Sequence, residues 1–258
     1  MSFVATLAVS ICLGLIYRNM DRLSPGIQDR LASFFFTILY LALTSLSSLP
    51  VWQEERILFL RECAAGVYSA PAYLATAIAF DLLTLRVLPT VFLAAITYPM
   101  MGLRGGWGYQ LQYWAAVTLC NVAAASQSMA IGAAATSTSV ANTVGSLAVL
   151  VNLLFGGFLL SLEDMPRVVA AAANLSYVRY AYEILAVNEF AGADGFKLTP
   201  FVPPGESPTS QGFKAVTGDD ILGIFHLQSS RLAFDFAGLA VLAVTYTALT
   251  AALLHFRR

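Results

Sequence analysis

Charge is the first thing this chain lacks. Asp, Glu, Lys and Arg make up only 11% of its 258 residues, against about 25% in an ordinary soluble domain. Lysine occurs only at Lys197 and Lys214. So few charges cannot coat a soluble fold of this size, which excludes an ordinary soluble enzyme, and so hydrophobic a chain is not a disordered segment. The formal net charge of -1 excludes a generic nucleic-acid binder, which would carry basic patches. Cysteine is scarce too: Cys12, Cys63 and Cys120 are far apart and form no C-x-x-C pair, so neither a zinc site, a redox motif nor a disulfide scaffold is supported. His226 and His255 have no carboxylate or cysteine at ligand spacing, so no metal site is expected. What remains is apolar: 58% hydrophobic side chains and a mean hydropathy of +0.72. That combination describes an all-α polytopic membrane protein.

A spanning helix needs about 20 mostly apolar residues. The apolar runs, charged only at Arg86 and at the Asp235 edge, predict six spans, over about 3–17, 31–52, 82–103, 110–135, 143–162 and 235–256. Residues 105–162 contain no charge at all, too long for one span and right for two, with the turn expected in TSTSVAN, Thr136–Asn142. The first span is short and starts almost at Met1; with no basic n-region and no cleavage-type site it reads as a truncated membrane helix rather than a signal peptide. Between spans, residues 18–30 (RNMDRLSPGIQDR) read as a polar loop turning at Pro25-Gly26, 53–72 as an amphipathic charged connector, and 163–231 as a helical stretch followed by a Pro/Gly/Ser-rich loop. No internal repeat is visible, so an inverted-repeat carrier is not indicated. Six spans put both termini on one side, but the short-loop arginines divide evenly, so charge alone leaves the orientation open.

Several segments carry more specific information. Residues 54–73 read EERILFLRECAAGVYSAPAY, 155–166 read FGGFLLSLEDMP and 177–190 read YVRYAYEILAVNEF. SPGIQDR (24–30) precedes the second span, and VTGDDIL (216–222) precedes the last. Together, and in this order, these segments resemble the membrane domain of the G subfamily of ATP-binding cassette half-transporters, the white and breast-cancer-resistance type. The resemblance implies an ABC-2 or type V exporter-like fold, a single transmembrane domain over 1–258. Its connector at 53–72 and both termini would be cytosolic, and 163–231 would be extracellular with a re-entrant helix.

The same resemblance implies partners: an ATP-binding cassette, a second half-transporter as homodimer or heterodimer, membrane lipids, and an amphipathic small molecule as cargo. No nucleic acid is expected. ATP and magnesium would be bound by the cassette, and no cofactor is expected in this chain. No phosphate-cradling G-x-x-x-x-G-K-[ST] loop is present, since both lysines follow Phe. The sequence therefore lacks a nucleotide-binding domain and is not expected to be an enzyme by itself. A fragment, a truncated gene model and a subunit with a separate cassette all fit. Plasma membrane and internal membranes stay equally open.

Residue roles follow from the same comparison. Glu55, Arg56, Arg61 and Glu62 in the connector would couple the cassette to the membrane. Phe36, Leu39, Tyr40 and Leu43, one face of the second span, would line a central cavity with Ser146, Leu150 and Leu153 of the fifth. Their leucines stand where the family carries aromatics and amides, which shifts the expected cargo toward lipid-like amphiphiles. Phe158 and Leu159 match a hydrophobic plug. Arg86 is a charge inside an apolar run; a role in substrate range and a role as an anchor snorkelling to Asp81 at the cytosolic edge carry equal weight. Arg179 and Glu183, four apart, can pair on a helix. Asn174-Leu175-Ser176 is a glycosylation sequon too near the membrane to be used. With no cysteine over 163–231, a disulfide-linked dimer is not expected. The rival class is a cassette-independent membrane protein, channel-like or an assembly or dominant-negative partner. An intramembrane protease is disfavoured, since no Ser–His or paired-Asp arrangement falls inside the spans.

Overall fold

The computed structural model describes residues 2–54, 76, 80–158, 173–198, 214–225 and 227–256. It contains α1 (Ser2–Ile16), α2 (Ser24–Ser45, with a further helical stretch over 48–54), α3 (Leu88–Met101, entered through a π-helical segment Asp81–Val87), α4 (Trp107–Ala134) and α5 (Thr138–Leu154). These are followed by α6 (Tyr177–Phe190), the strands β1 (Phe196–Leu198) and β2 (Lys214–Val216), α7 (Gly218–Ile224) and α8 (Leu232–Phe256).

The helix starts differ from the sequence expectation in two informative places. Residues 24–30 are the first turns of α2, not a loop: Pro25 sits in the opening turn, where its missing N–H costs nothing. Arg30 does not end the span, because its charge is neutralised inside the protein. The turn between α4 and α5 is shorter than TSTSVAN. Helix α5 already begins at Thr138, with Ser137 as a cap whose hydroxyl accepts the Val140 N–H at 3.3 Å. The stretch after α6 also holds more order than its composition suggested. β1 and β2 pair antiparallel (Phe196 with Val216, Leu198 with Lys214), and Thr217 and Asp220 form a reciprocal capping box at α7.

Helix α4 is the hub, packing against α2, α3, α5, α6 and α8, while α1 lies on α3. Its buried face is built from small residues (Ala116, Ala123, Ala124, Ala130, Gly132 and Ala133), which let neighbouring backbones approach closely. Hydroxyl pairs stitch it to its neighbours: Ser45 with Ser128 at 3.1 Å, Thr90 with Thr118 at 2.8 Å and Thr247 with Ser126 at 3.1 Å. At Gly145 of α5 a side chain would collide with Leu49 at 2.6 Å, so this glycine sets how closely α5 approaches the end of α2.

Four helical segments are long and apolar enough to cross a membrane: Ser24–Glu54, Thr84–Met101, Trp107–Ala134 and Ser229–Leu254. Two more, Phe3–Ile16 and Thr138–Leu154, are apolar but shorter. The connections fall at two ends. At one end, Gln53 meets the α4–α5 turn, donating toward Ala135 O and accepting from the Thr138 hydroxyl at 3.0 Å. At the other lie the α1–α2 and α3–α4 turns and the segment after α6. There Asn19 and Met20 N–H groups donate to Met100 and Met101 carbonyls, and Lys197 N–H donates to Arg22 O. Gly102, at φ 64°, adopts the left-handed conformation that ends α3 at this end.

Candidate functional site

The residues expected to line a path occupy two helices with different surroundings. On α2, Phe36 and Leu43 are exposed, while Leu39 and Tyr40 are half-buried, the Tyr40 hydroxyl lying 2.8 Å from that of Thr6 on α1. On α5, Ser146 and Leu150 are exposed, Leu150 by 61%, but Leu153 is buried, at 7%. All three share a helical face; Leu153 alone belongs to the core cluster that also contains Val178, Tyr180 and Ala181 of α6. The exposed side of α5 mixes Val140, Val144, Leu147 and Leu154 with Ser139, Asn142, Thr143 and Ser146. Phe158 follows the end of α5, after Gly157 at φ 82°. Its ring stacks on Phe35 of α2 at 4.9 Å and meets Tyr182 of α6 edge-on at 5.8 Å. Leu159, Glu55, Arg56, Arg61 and Glu62 lie outside the described residues.

Arg86 sits in the π-helical segment, and its Nε donates to Asp81 Oδ2 at 3.4 Å. In an α-helix, residues five apart stand about 140° around from one another. A π turn closes at i+5 and brings them to one face. The local geometry is therefore what permits this pair. Arg86 Nη2 also donates to Ser48 Oγ at 2.5 Å, and the Asn121 amide donates to the Arg86 carbonyl at 3.3 Å.

At the opposite end is a constellation that sequence reasoning missed. Arg30 pairs with Glu189, both side chains 4% exposed. Arg30 Nη2 donates to Met20 O at 2.7 Å, and the other Glu189 oxygen accepts the Arg104 N–H at 2.9 Å. Arg104 reaches on to the Ala191 and Gly192 carbonyls and lies 4.0 Å over the Tyr109 ring. Asn188 donates to Tyr109 O at 3.0 Å, and Phe190 packs on Phe196 at 5.3 Å. The Asn-Glu-Phe triplet that closes α6 thus ties together the α1–α2 turn, the α3–α4 turn and the segment after α6. Burial pushes the Glu189 carboxyl above the usual range, against the lowering pull of Arg30. The signal was the triplet itself, but its partners lie far away in sequence.

Helix α6 is buried at every residue except Arg179. Its start is capped by Ser176, whose hydroxyl accepts the Arg179 N–H and donates to Asn152 O at 2.8 Å. The expected Arg179–Glu183 pair does not form. Arg179 turns back to the exposed Asn174, donating to its Oδ1 at 2.7 Å, while Glu183 faces inward. Burial raises the Glu183 carboxyl, and Arg179 opposes this from a distance. A polar chain crosses the bundle nearby. Asn152 donates to Gln127 Oε1 at 3.1 Å, and Gln127 donates to the Tyr246 hydroxyl at 3.2 Å, linking α5, α4 and α8. Cys12 and Cys120 are free thiols, and no group of three metal-ligating side chains occurs among the described residues.

The sequence that folds into these apolar helices matches a family model. Residues 1–190 fit the ABC-2 type transporter. The chain belongs to the ABC-2 type transporter family. It is similar to ABC transporter G family member 24 of Dictyostelium discoideum, 32% identical over 96% of this chain and 21% of that protein. It is also similar to Protein white of Drosophila melanogaster, 30% identical over 98% of this chain and 36% of the relative. A third relative is the broad substrate specificity ATP-binding cassette transporter ABCG2 of Rattus norvegicus, 30% identical over 85% of this chain and 34% of that protein. The chain thus spans between about a fifth and a third of the relatives it matches. With its four long apolar helices, this ABC-2 domain is an integral membrane protein of a transport family.

Proposed function

We propose that this chain is the membrane-spanning part of an ATP-driven exporter that moves amphipathic, lipid-like molecules by alternating access. The ATP-binding cassette supplies the energy, and two such membrane domains, identical or not, flank the path. Its relatives are named as ATP-binding cassette transporters, which supports this reading. One observation about the chain itself carries it. The exposed side of α5 is amphipathic, with Ser139, Asn142, Thr143 and Ser146 among its valines and leucines, whereas the exposed side of α8 is apolar apart from Thr245, whose hydroxyl donates to the Val241 carbonyl of its own helix, with Phe234, Val241, Val244 and Leu249 around it. A lipid-facing helix wants the second pattern. Polar side chains within an apolar helix belong on a protein interface or a solute path.

In this reading all six apolar helices cross. At 17 residues α5 spans about 26 Å, a shortfall that local thinning of the bilayer accommodates at modest cost. Helix α6 is the re-entrant element on the outer side, and the end carrying Gln53 is cytosolic, as are both termini. Phe36, Leu39, Tyr40 and Leu43 of α2 face the path with Ser146 and Leu150; Leu153 supports that wall from behind. Phe158 and Leu159 close it, and Phe158 is held for this by Phe35 and Tyr182. Glu55, Arg56, Arg61 and Glu62 receive the cassette's motion, and Arg86 adjusts substrate range from outside the path.

The test is ATP-dependent uptake of a fluorescent phosphatidylcholine into inside-out vesicles containing the full-length protein. Ser146→Trp and Leu43→Trp alter exposed positions and are expected to fold. Each should cut uptake by about tenfold or more, over 1.4 kcal/mol at the transport step, while ATP hydrolysis continues. Wild-type uptake in both variants would put the path elsewhere.

A further inference from the structure

The first turn of α8 carries a carboxyl that the transport reading does not use. Asp235 is only 1% exposed, and its Oδ2 is buried without a hydrogen-bond partner. Its neighbour across the helix interface is a second carboxyl. Helices α6 and α8 pack antiparallel: the Tyr246 hydroxyl donates to Leu175 O at 3.5 Å, and a side chain at Gly238 would lie 2.9 Å from the Tyr180 ring. One turn further along both helices, this register sets Asp235 opposite Glu183. Glu183 is itself 6% exposed, and it accepts the Gln228 N–H.

The surroundings do not neutralise both groups. Arg179 and Arg231 act on the two carboxyls, but Arg231 is exposed and Arg179 is turned back to Asn174. Among the described residues neither forms an ion pair with Asp235 or Glu183. Tyr180 is the other titratable group of α6 beside Asp235, and α4, which also packs on α8, has no charged residue. Two facing carboxylates cannot both stay ionised in a site that excludes water. A metal ion does not answer the need: Oδ2 has no accessible surface, two carboxyls make too small a ligand set, and the arginine charges oppose a cation. A proton needs no cavity. Taken from solvent onto one carboxyl, it removes one negative charge and supplies an O–H that can donate to the other.

We propose that Asp235 and Glu183 form a proton-binding site, which holds one proton between them at neutral pH and keeps α6 docked on α8. Loss of that proton leaves two facing anions, and the start of α8 must draw back from α6 to admit water or Arg179. The site is independent of the export reading, since its occupancy requires neither ATP nor cargo.

The experiment is infrared difference spectroscopy of the purified full-length protein in lipid nanodiscs, wild type against Asp235→Asn. At neutral pH the wild type is expected to show the C=O stretch of a protonated carboxyl, shifted in heavy water and absent from Asp235→Asn. As the pH is raised until that band disappears, pulsed hydrogen exchange over 177–190 should become about tenfold faster than in Asp235→Asn at the same pH. Glu183→Gln removes the facing charge and puts an amide donor there, so the band should be lost at neutral pH; it is also the second variant if Asp235→Asn does not fold. Three results would each overturn the proposal: no protonated carboxyl at neutral pH that either variant removes, a band that survives Glu183→Gln, or equal exchange in wild type and Asp235→Asn once the band has gone. The first is also what a bridging water in place of the proton would give. Because no transport is measured, a failed export reading would leave these outcomes unaffected.

Discussion

Among the described residues the bundle buries two arginines, one toward each end, and surrounds them differently. Arg30 is sealed. It and Glu189 are equally buried, its Nη2 is spent on Met20 O, and Glu189 is also held by the Arg104 N–H. Arg86 is held loosely. Its Asp81 partner stands 3.4 Å away, the two side chains are 8% and 13% exposed, and a cavity adjoins them. The first pair joins elements far apart in sequence: the start of α2, the α3–α4 turn and the end of α6. The second joins residues five apart. A sealed, long-range pair fixes tertiary structure, while a local, accessible one stays within reach of water. Neither pair is a simple gain in stability, because desolvation offsets much of the Coulombic attraction.

The largest predicted effect comes from breaking the sealed pair. Arg30→Met should leave Glu189 uncompensated and cost about 3–5 kcal/mol. Thermal unfolding of the purified protein would show it as a large drop in midpoint or a failure to accumulate. Glu189→Gln should be nearly as damaging through the mirror-image loss. The double variant Arg30→Met, Glu189→Leu should recover most of the stability, since no unpaired charge remains. If Arg30→Met proves as mild as Val244→Ala on the outer face of α8, the sealed pair has been misread.

The two arginines were not equally legible from sequence. Arg86 interrupts an apolar run, so hydropathy alone marked it and the nearby Asp81 suggested its partner. Arg30 sits beside Asp29 at the edge of a run, where a charge ordinarily ends a span, and Glu189 is 159 residues away. Local pattern has no access to such a pairing, so α2 was expected to begin at Leu31 although it begins at Ser24. The same limit explains Leu153, whose burial depends on α6, and the Arg179–Glu183 spacing, which permits a pair that Asn174 and burial override. The order of the apolar helices was readable because long apolar runs determine it, but of the six expected spans four are long enough to cross a membrane and two are shorter. The three-residue strands were not readable, since they are too short to show alternation.

The loose pair supplies the next test. Arg86→Met removes a charge whose partner can still be rehydrated, so the stability loss should be about 1–3 kcal/mol, below that of Arg30→Met by the same unfolding measurement. Equal losses from Arg30→Met and Arg86→Met would erase the distinction between a sealed and an open site.

The smallest effect isolates what charge contributes by examining a crossing that has none. Tyr246, Gln127 and Asn152 link α8, α4 and α5 by neutral hydrogen bonds, and Asn152 passes the link to Ser176 at the start of α6. Within a membrane such side-chain links average only about 0.6 kcal/mol, because a polar group freed in the unfolded state finds other partners. Gln127→Leu and Asn152→Leu, alone and together, form a double-mutant cycle whose coupling should lie near that value. The cycle at Arg30 and Glu189 should give several times more, since each single change there strands a charge. Asn152 also donates to Ala148 O within its own helix at 2.8 Å, so its amide keeps a partner when Gln127 is removed. The physical reason for the ordering is therefore the cost of what is left behind. A coupling at Gln127–Asn152 as large as that at Arg30–Glu189 would show that bundle geometry, and not charge, sets the strength of these cross-links.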